Sequence, residues 1–128
     1  MISPKVYEKQ INELGIEGMI VAAENSEEAS NLLDALQDVE KLLIRIKANV
    51  RMDIRVIRKK FIEKIKKIDD SSKKSREKPL KIKIMEKKAL SEERDLQIAP
   101  YETIESTIDH YLYQIKEATD YLNEIIDN

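Results

Sequence analysis

The single histidine of the chain, His110, is the side chain best suited to acid–base or metal chemistry near neutral pH. Glu105, Ser106 and Asp109 precede it closely. A metal site in a helical protein usually gathers several His or Glu side chains from facing helices. One histidine among acids does not meet that requirement, so we expect a surface residue. A small enzyme built on carboxylates and His110 is the least favoured function, and the sequence predicts no catalytic residue, cofactor or metal.

A group of cations suits phosphate binding instead. At 100° per residue, Lys47, Arg51, Arg55 and Arg58 fall within one helical sector of about 80°, with Lys66 just beyond it. The cations that follow in the next segment are Lys73, Lys74, Arg76, Lys81 and Lys83. If both arms of a basic hairpin (residues 47–88) carry these charges outward, they predict sequence-independent, salt-sensitive binding of nucleic acid.

The same cations could instead be matched by acids of the chain or of a second copy. Residues 1–40 carry a net charge of −7, residues 41–90 carry +13, and residues 91–128 carry −8. The acidic residues available in the last segment are Glu102, Glu105, Asp109, Glu117, Asp120 and Glu124. The pI of about 5.6 favours this matched arrangement over an outward-facing basic surface.

A second apolar stripe accompanies the cations. Ile44, Ala48, Met52 and Val56 recur every four residues and point away from the middle of the main apolar face. A helix that is apolar on two sides is usually covered on two sides. We expect either a second copy of the chain, giving an isologous homodimer, or coverage by the N-terminal segment.

The elements that position these residues are helices. Apolar residues recur at intervals of three and four over nine steps from Leu36 to Ile68, which predicts one long helix over about 26–69, capped by Asn25 and Glu28. Gaps of four and three predict a heptad helix over 100–127. We expect an N-terminal helix within 1–24, ending near Gly15 or continuing toward Ala23, and a serine- and lysine-rich loop over 70–79. Residues 80–98 form a basic return segment, either helical or extended. Pro100 either kinks one return helix or begins another.

Composition excludes several classes of protein. The chain has 128 residues, no cysteine and two isolated glycines, so disulfide scaffolds, thiolate metal sites and glycine-rich nucleotide loops are excluded. No apolar run approaches the roughly 18 residues of a membrane span, and no signal peptide is visible, so we expect a cytoplasmic protein without a membrane partner. The five tyrosines lie in acidic segments, which favours packing at the bundle rim over base stacking.

The sequence therefore predicts a single all-α domain, an elongated antiparallel bundle built on one long central helix. We expect the N-terminal segment to add a third layer near the start of that long helix. The favoured function is a non-enzymatic scaffold or adaptor that self-associates and binds another macromolecule. The alternative is a nucleic-acid-binding protein that uses the basic hairpin.

Overall fold

Three helices make up the fold. The computed structural model describes residues 1–74 and 79–128, and it describes side chains for 1–70 and 79–128. These ranges contain α1 (Pro4–Glu13), α2 (Ser26–Lys74) and α3 (Leu80–Asp127), and no strand. α2 and α3 pack against each other as a long helical hairpin, and α1 packs on both. The prediction of an all-α helical hairpin bundle is confirmed.

The start of α2 follows the predicted capping pattern. The Glu28 N–H donates to Oδ1 of Asn25 at 2.9 Å, which satisfies a backbone donor that has no partner in the first turn. The Glu28 carboxylate reaches back and accepts a hydrogen bond from the Glu24 N–H at 2.8 Å. Two acids in this turn also suit the positive end of the helix dipole. At about 1.5 Å per residue, the 49 residues of α2 span roughly 70 Å.

The core lies along the facing sides of α2 and α3. The α2 residues buried there come from the predicted apolar series and include Leu43, Val50, Ile57 and Phe61, and α3 contributes Ile98, Tyr101, Ile104, Ile108, Ile115 and Leu122. No described residue of α2 beyond Phe61, and none of α3 before Ile98, is buried. The closed end of the hairpin is therefore a two-helix arm, because α1 supplies a third layer only farther along.

The N-terminal helix takes the shorter of its two predicted lengths within 1–24. α1 ends at Glu13, and Gly15 adopts φ +67°, a left-handed conformation that ends a helix. The connection to α2 then runs along the core, where Met19, Val21 and Ala23 are partly buried and Ile20 and Ala22 are exposed. Burial that alternates from one residue to the next is typical of an extended segment, and the apolar run Gly18–Ala23 is therefore extended rather than helical.

α1 lies against the middle of the hairpin. Tyr7 donates a hydrogen bond to Asp53 in the middle of α2, and the Tyr101 hydroxyl donates to the Ile2 carbonyl at 2.8 Å. The N-terminal segment thus supplies a third layer along the middle of α2 as well as toward its start. The partly buried connection of residues 14–25 runs back along the core to the start of α2, so α1 itself lies at its middle.

The return segment is one helix. Residues 80–98 are helical from Leu80, and α3 continues through Pro100 to Asp127, so the proline lies inside one helix and does not separate two. α2 continues five residues past the predicted end at 69, to Lys74. Of the predicted loop over 70–79, residues 75–78 lie outside the described residues. The alternation Leu80–Ile84 does not form a strand, because a single strand has no partner in this fold.

Candidate interaction surface

No hydrogen bond or ion pair joins His110 to Glu105, Ser106 or Asp109. Its imidazole is exposed and lies 3.2 Å from the side-chain nitrogen of Gln114. Glu105 and Asp109 are instead in contact with cations of α2. Within residues 1–70 and 79–128, no three His, Asp or Glu side chains are arranged to hold a metal ion.

An open groove runs between α2 and α3 on the side away from α1. Ile44 and Asp53 are nine residues apart, which at 100° per residue places them on opposite sides of α2. α1 contacts the Asp53 side, whereas Ile44 lies in the groove. Three adjoining hollows form this groove: the middle one shares Arg51 and Arg55 with the hollow on one side and Arg58 and Glu102 with the hollow on the other. We call it the open groove. The remaining residues that line it are Ile44, Lys47, Ala48, Met52, Ile54, Ile62, Arg94, Asp95, Ile98, Glu105 and Leu112.

The second apolar stripe lies in this groove for most of its length. Ile44, Ala48 and Met52 line one hollow, and 51 % of Ile44 and 62 % of Met52 remain exposed. Val56 is exposed too but does not line it, because a spacing of four drifts by 40° per step around a helix. The expectation that the N-terminal segment covers this stripe is wrong, since α1 packs on the other side of α2.

Two of the predicted phosphate-binding cations are matched by acids of α3. Lys47 Nζ lies 2.5 Å from Asp109 Oδ1, and Arg51 Nε lies 3.5 Å from Glu105 Oε2. Arg55 and Arg58 line the groove beside Glu102 and are exposed. Neither arginine forms an ion pair or a hydrogen bond with a described residue. The matched arrangement therefore holds at one end of the basic stripe and not at the other.

The remaining predicted cations lie toward the closed end of the hairpin. Lys66 and Lys81 are exposed. Lys83 and Lys87 both approach Asp69, with Nζ–Oδ1 distances of 4.0 and 2.6 Å. The side chains of Lys73 and Lys74, and the whole of Arg76, lie outside the described residues. Among the described residues, the closed end thus combines two lysines that approach Asp69 with others that form no ion pair.

Hydrogen bonds from two tyrosines help to hold the N-terminal segment on the side of the hairpin opposite the open groove. The buried Tyr7 hydroxyl donates to Oδ2 of Asp53 at 2.5 Å, and the Tyr7 ring meets the edge of Tyr101 with centroids 6.4 Å apart. Burial, followed by the hydrogen bond to Asp53 and its charge, raises the pKa of Tyr7 far above its ordinary value. In the connection between α1 and α2, Glu17 Oε1 accepts a hydrogen bond of 2.8 Å from the Tyr111 hydroxyl, which raises the pKa of Tyr111.

Sequence reasoning missed several residues of these two surfaces. It did not select Asp53, whose signal is an isolated acid within a strongly basic stretch of α2. It named Glu102 only as one of six acids available to match the cations, and it did not select Ile62 or Leu112. The facing positions on α3 depend on the register between the helices, which the pattern along a single helix does not contain.

Comparisons with known proteins return no relative. No family model, curated protein or solved structure matches the chain. None of the described helices combines the length and apolar character needed to cross a membrane. The case for a function therefore depends on the geometry and charge of the surfaces described above.

Proposed function

We propose that the protein is a non-enzymatic helical scaffold that self-associates through the open groove and presents its other surfaces to a macromolecular partner. The observation that carries this proposal is the uncovered stripe of Ile44, Ala48 and Met52, which α1 leaves open by packing on the opposite side. A helix with apolar residues on two sides gains stability when a second element covers the open side.

Apolar contact alone is too weak to hold two copies together. Complete burial of an isoleucine or methionine contributes roughly 1.5–3 kcal/mol. About half of Ile44 and Met52 is exposed, so each contributes about 1 kcal/mol on burial. A symmetric pair of stripes then contributes about 4 kcal/mol, well short of the roughly 8 kcal/mol of a micromolar complex. The charged side chains around the stripe must therefore contribute to the association.

Sedimentation equilibrium tests the proposal directly. The wild-type chain is expected to approach twice its monomer mass of 14.9 kDa as its concentration rises. Met52→Glu should shift this transition to higher concentration because it places a charge on the stripe. Leu96→Glu is the matched control, since Leu96 is 76 % exposed and lies outside the groove. A single-chain mass at every concentration, or equal weakening by both variants, contradicts the proposal.

A second candidate function, nucleic-acid binding, is favoured by the lysines near the closed end of the hairpin. Lys66, Lys67, Lys81 and Lys88 are exposed and form no ion pair with a described residue. Cations that are not paired within the chain are free to contact phosphates and release counterions on binding. We infer that such binding would use the two-helix arm and leave the middle of the groove free for the second copy.

Fluorescence anisotropy with mixed-sequence DNA and RNA tests this second function. Affinity should fall steeply as salt rises, and the combined change Lys66→Glu and Lys67→Glu should weaken binding strongly. The same reversal at Lys5 and Lys9 is the matched control, because both lysines are exposed and belong to α1, outside the arm. No binding at low salt, or equal loss in both variants, contradicts it.

A further inference from the structure

We propose that the second copy packs in the open groove about a two-fold axis parallel to the helices, so that α2 of one copy lies against α3 of the other. The product is a four-helix bundle in which the basic side of each groove meets the acidic side of its partner. This inference rests on the proposed self-association and adds to it the arrangement of the two copies and the residues that select it.

The charges of the groove are separated between its two walls. The α2 wall carries Arg51, Arg55 and Arg58, whereas the α3 wall carries Asp95, Glu102 and Glu105 beside one cation, Arg94. Arg94 lies 3.1 Å from its neighbour Asp95. One wall is therefore strongly basic and the other mainly acidic.

The register within the hairpin sets which groups would meet. Lys47 is level with Asp109 and Arg51 with Glu105, so residue numbers rise along α2 as they fall along α3. One further turn places Arg55 level with Glu102, and these two side chains line the same hollow without forming an ion pair. Rotation about an axis parallel to the helices leaves heights unchanged. Arg55 of one copy then faces Glu102 of the partner subunit, and the contact occurs twice.

The other two-fold arrangement is opposed by charge. An axis perpendicular to the helices, lying in the interface, places α2 against α2 of the second copy in an antiparallel manner. Centring that contact on Ala48, the middle of the stripe, brings Arg51 toward Arg45 of the partner subunit and Arg55 toward Lys41 of the partner subunit, so cations meet cations. Like charges in contact across an interface disfavour that pairing. The separation of charge in the groove therefore selects α2 against α3.

Groups without an ion-pair partner among the described residues add to this argument. Arg55, Arg58 and Glu102 line one hollow, and none of them has an ion-pair partner among the described residues. In a symmetric four-helix bundle, the Arg55 and Glu102 side chains acquire partners of opposite charge without any change inside the hairpin. The apolar side chains Ile44, Met52 and Leu112 lie at the adjoining end of the groove and are covered in the same step.

A charge exchange tests the arrangement. Arg55→Glu and Glu102→Arg should each weaken self-association at least about 10-fold, because each creates two like-charge contacts per dimer. The two proteins mixed together should associate better than either alone, and the double variant should recover most of the loss. Lys60→Glu, an exposed cation of α2 outside the groove, is the matched control and should change little.

Single-cysteine proteins give a second, geometric readout, because the chain has no cysteine of its own. Arg55→Cys mixed with Glu102→Cys should form a mixed disulfide dimer more readily than either protein alone. If Ala48→Cys, at the middle of the stripe, cross-links to itself while the mixture does not, α2 lies against α2 and the proposed arrangement is wrong, although self-association stands. If the wild-type chain stays single at all concentrations, both proposals fail and another occupant must fill the groove.

Discussion

The hydrogen bond between Tyr7 and Asp53 provides the most specific prediction about the stability of the fold. Tyr7→Phe keeps the buried ring and its edge contact with Tyr101 but removes the hydroxyl that donates to Asp53. A hydrogen bond to a charged group contributes roughly 1.5–3 kcal/mol. Because Asp53 is only partly buried, water can replace part of this contact. We therefore expect Tyr7→Phe to lower the free energy of unfolding by about 1–2 kcal/mol.

Two companion variants separate the hydroxyl from the ring. Tyr7→Ala removes the ring as well and should cost a total of about 4–5 kcal/mol, because the ring is almost completely buried. Tyr121→Phe is the matched control, since Tyr121 is 48 % exposed and donates no hydrogen bond to a described residue. Its effect should stay within about 0.5 kcal/mol. Urea unfolding at one fixed protein concentration measures all three, because self-association makes apparent stability depend on concentration.

The same hydrogen bond predicts how stability depends on alkaline pH. Burial and Asp53 raise the pKa of Tyr7 in the folded protein, whereas in the unfolded chain the hydroxyl ionises near pH 10. Above that pH the folded state binds more protons than the unfolded state, so the free energy of unfolding falls as pH rises. The contribution is fully present below about pH 10. In Tyr7→Phe this part of the decline is absent, so the difference from wild type should shrink with rising pH.

Equal stability and equal alkaline profiles of wild type and Tyr7→Phe would refute this reasoning. That result would mean that the hydroxyl does not donate to Asp53 in solution and that α1 is held by apolar contacts alone. A loss in Tyr7→Phe as large as that in Tyr7→Ala would also contradict it, because the retained ring would then contribute nothing.

Three further substitutions test the helices themselves. Phe61→Ala should lower the free energy of unfolding by about 3–5 kcal/mol, since the ring is fully buried between α2 and α3; a loss below about 1 kcal/mol would place it outside the core. Gly15→Ala should cost about 1–2 kcal/mol, measured by thermal unfolding, because the residue has φ +67° in open space and only backbone strain opposes the change. Pro100→Ala should stabilise the protein by about 1–3 kcal/mol in urea, since it restores a backbone donor inside α3; destabilisation would show that the proline has a packing role.

Much of the fold follows from the sequence because helix periodicity is a local property. The series from Leu36 to Phe61 identifies the buried side of α2, and Asn25 with Glu28 identifies its start. The sequence does not determine the end of α1, because Gly15 favours an end at that residue whereas the apolar run Gly18–Ala23 favours a longer helix. The structure resolves this at Gly15, where positive φ ends the helix and the following side chains alternate along the core.

Only one wall of the open groove could be predicted from the sequence. The stripe of Ile44, Ala48 and Met52 and the arginines beside it are visible on a helical wheel. The acidic wall is not, because pairing Glu102 with the level of Arg55 requires the register of two helices joined through residues 75–78. The position of α1 is equally non-local, since Tyr7 contacts a residue 46 positions away. The open side of α2 therefore depends on where α1 and α3 pack, which the sequence pattern of α2 alone does not determine.

The most direct test of the central claim uses two methionines of the wild-type protein. Met52 lies in the open groove and Met85 lies on α3 near the closed end, and both are 62 % exposed in the single chain. Peroxide oxidises exposed methionines to sulfoxides, and peptide mass spectrometry reads each site separately. We expect equal rates at low protein concentration and selective protection of Met52 at high concentration. Equal oxidation of both methionines at every concentration would contradict self-association through this groove.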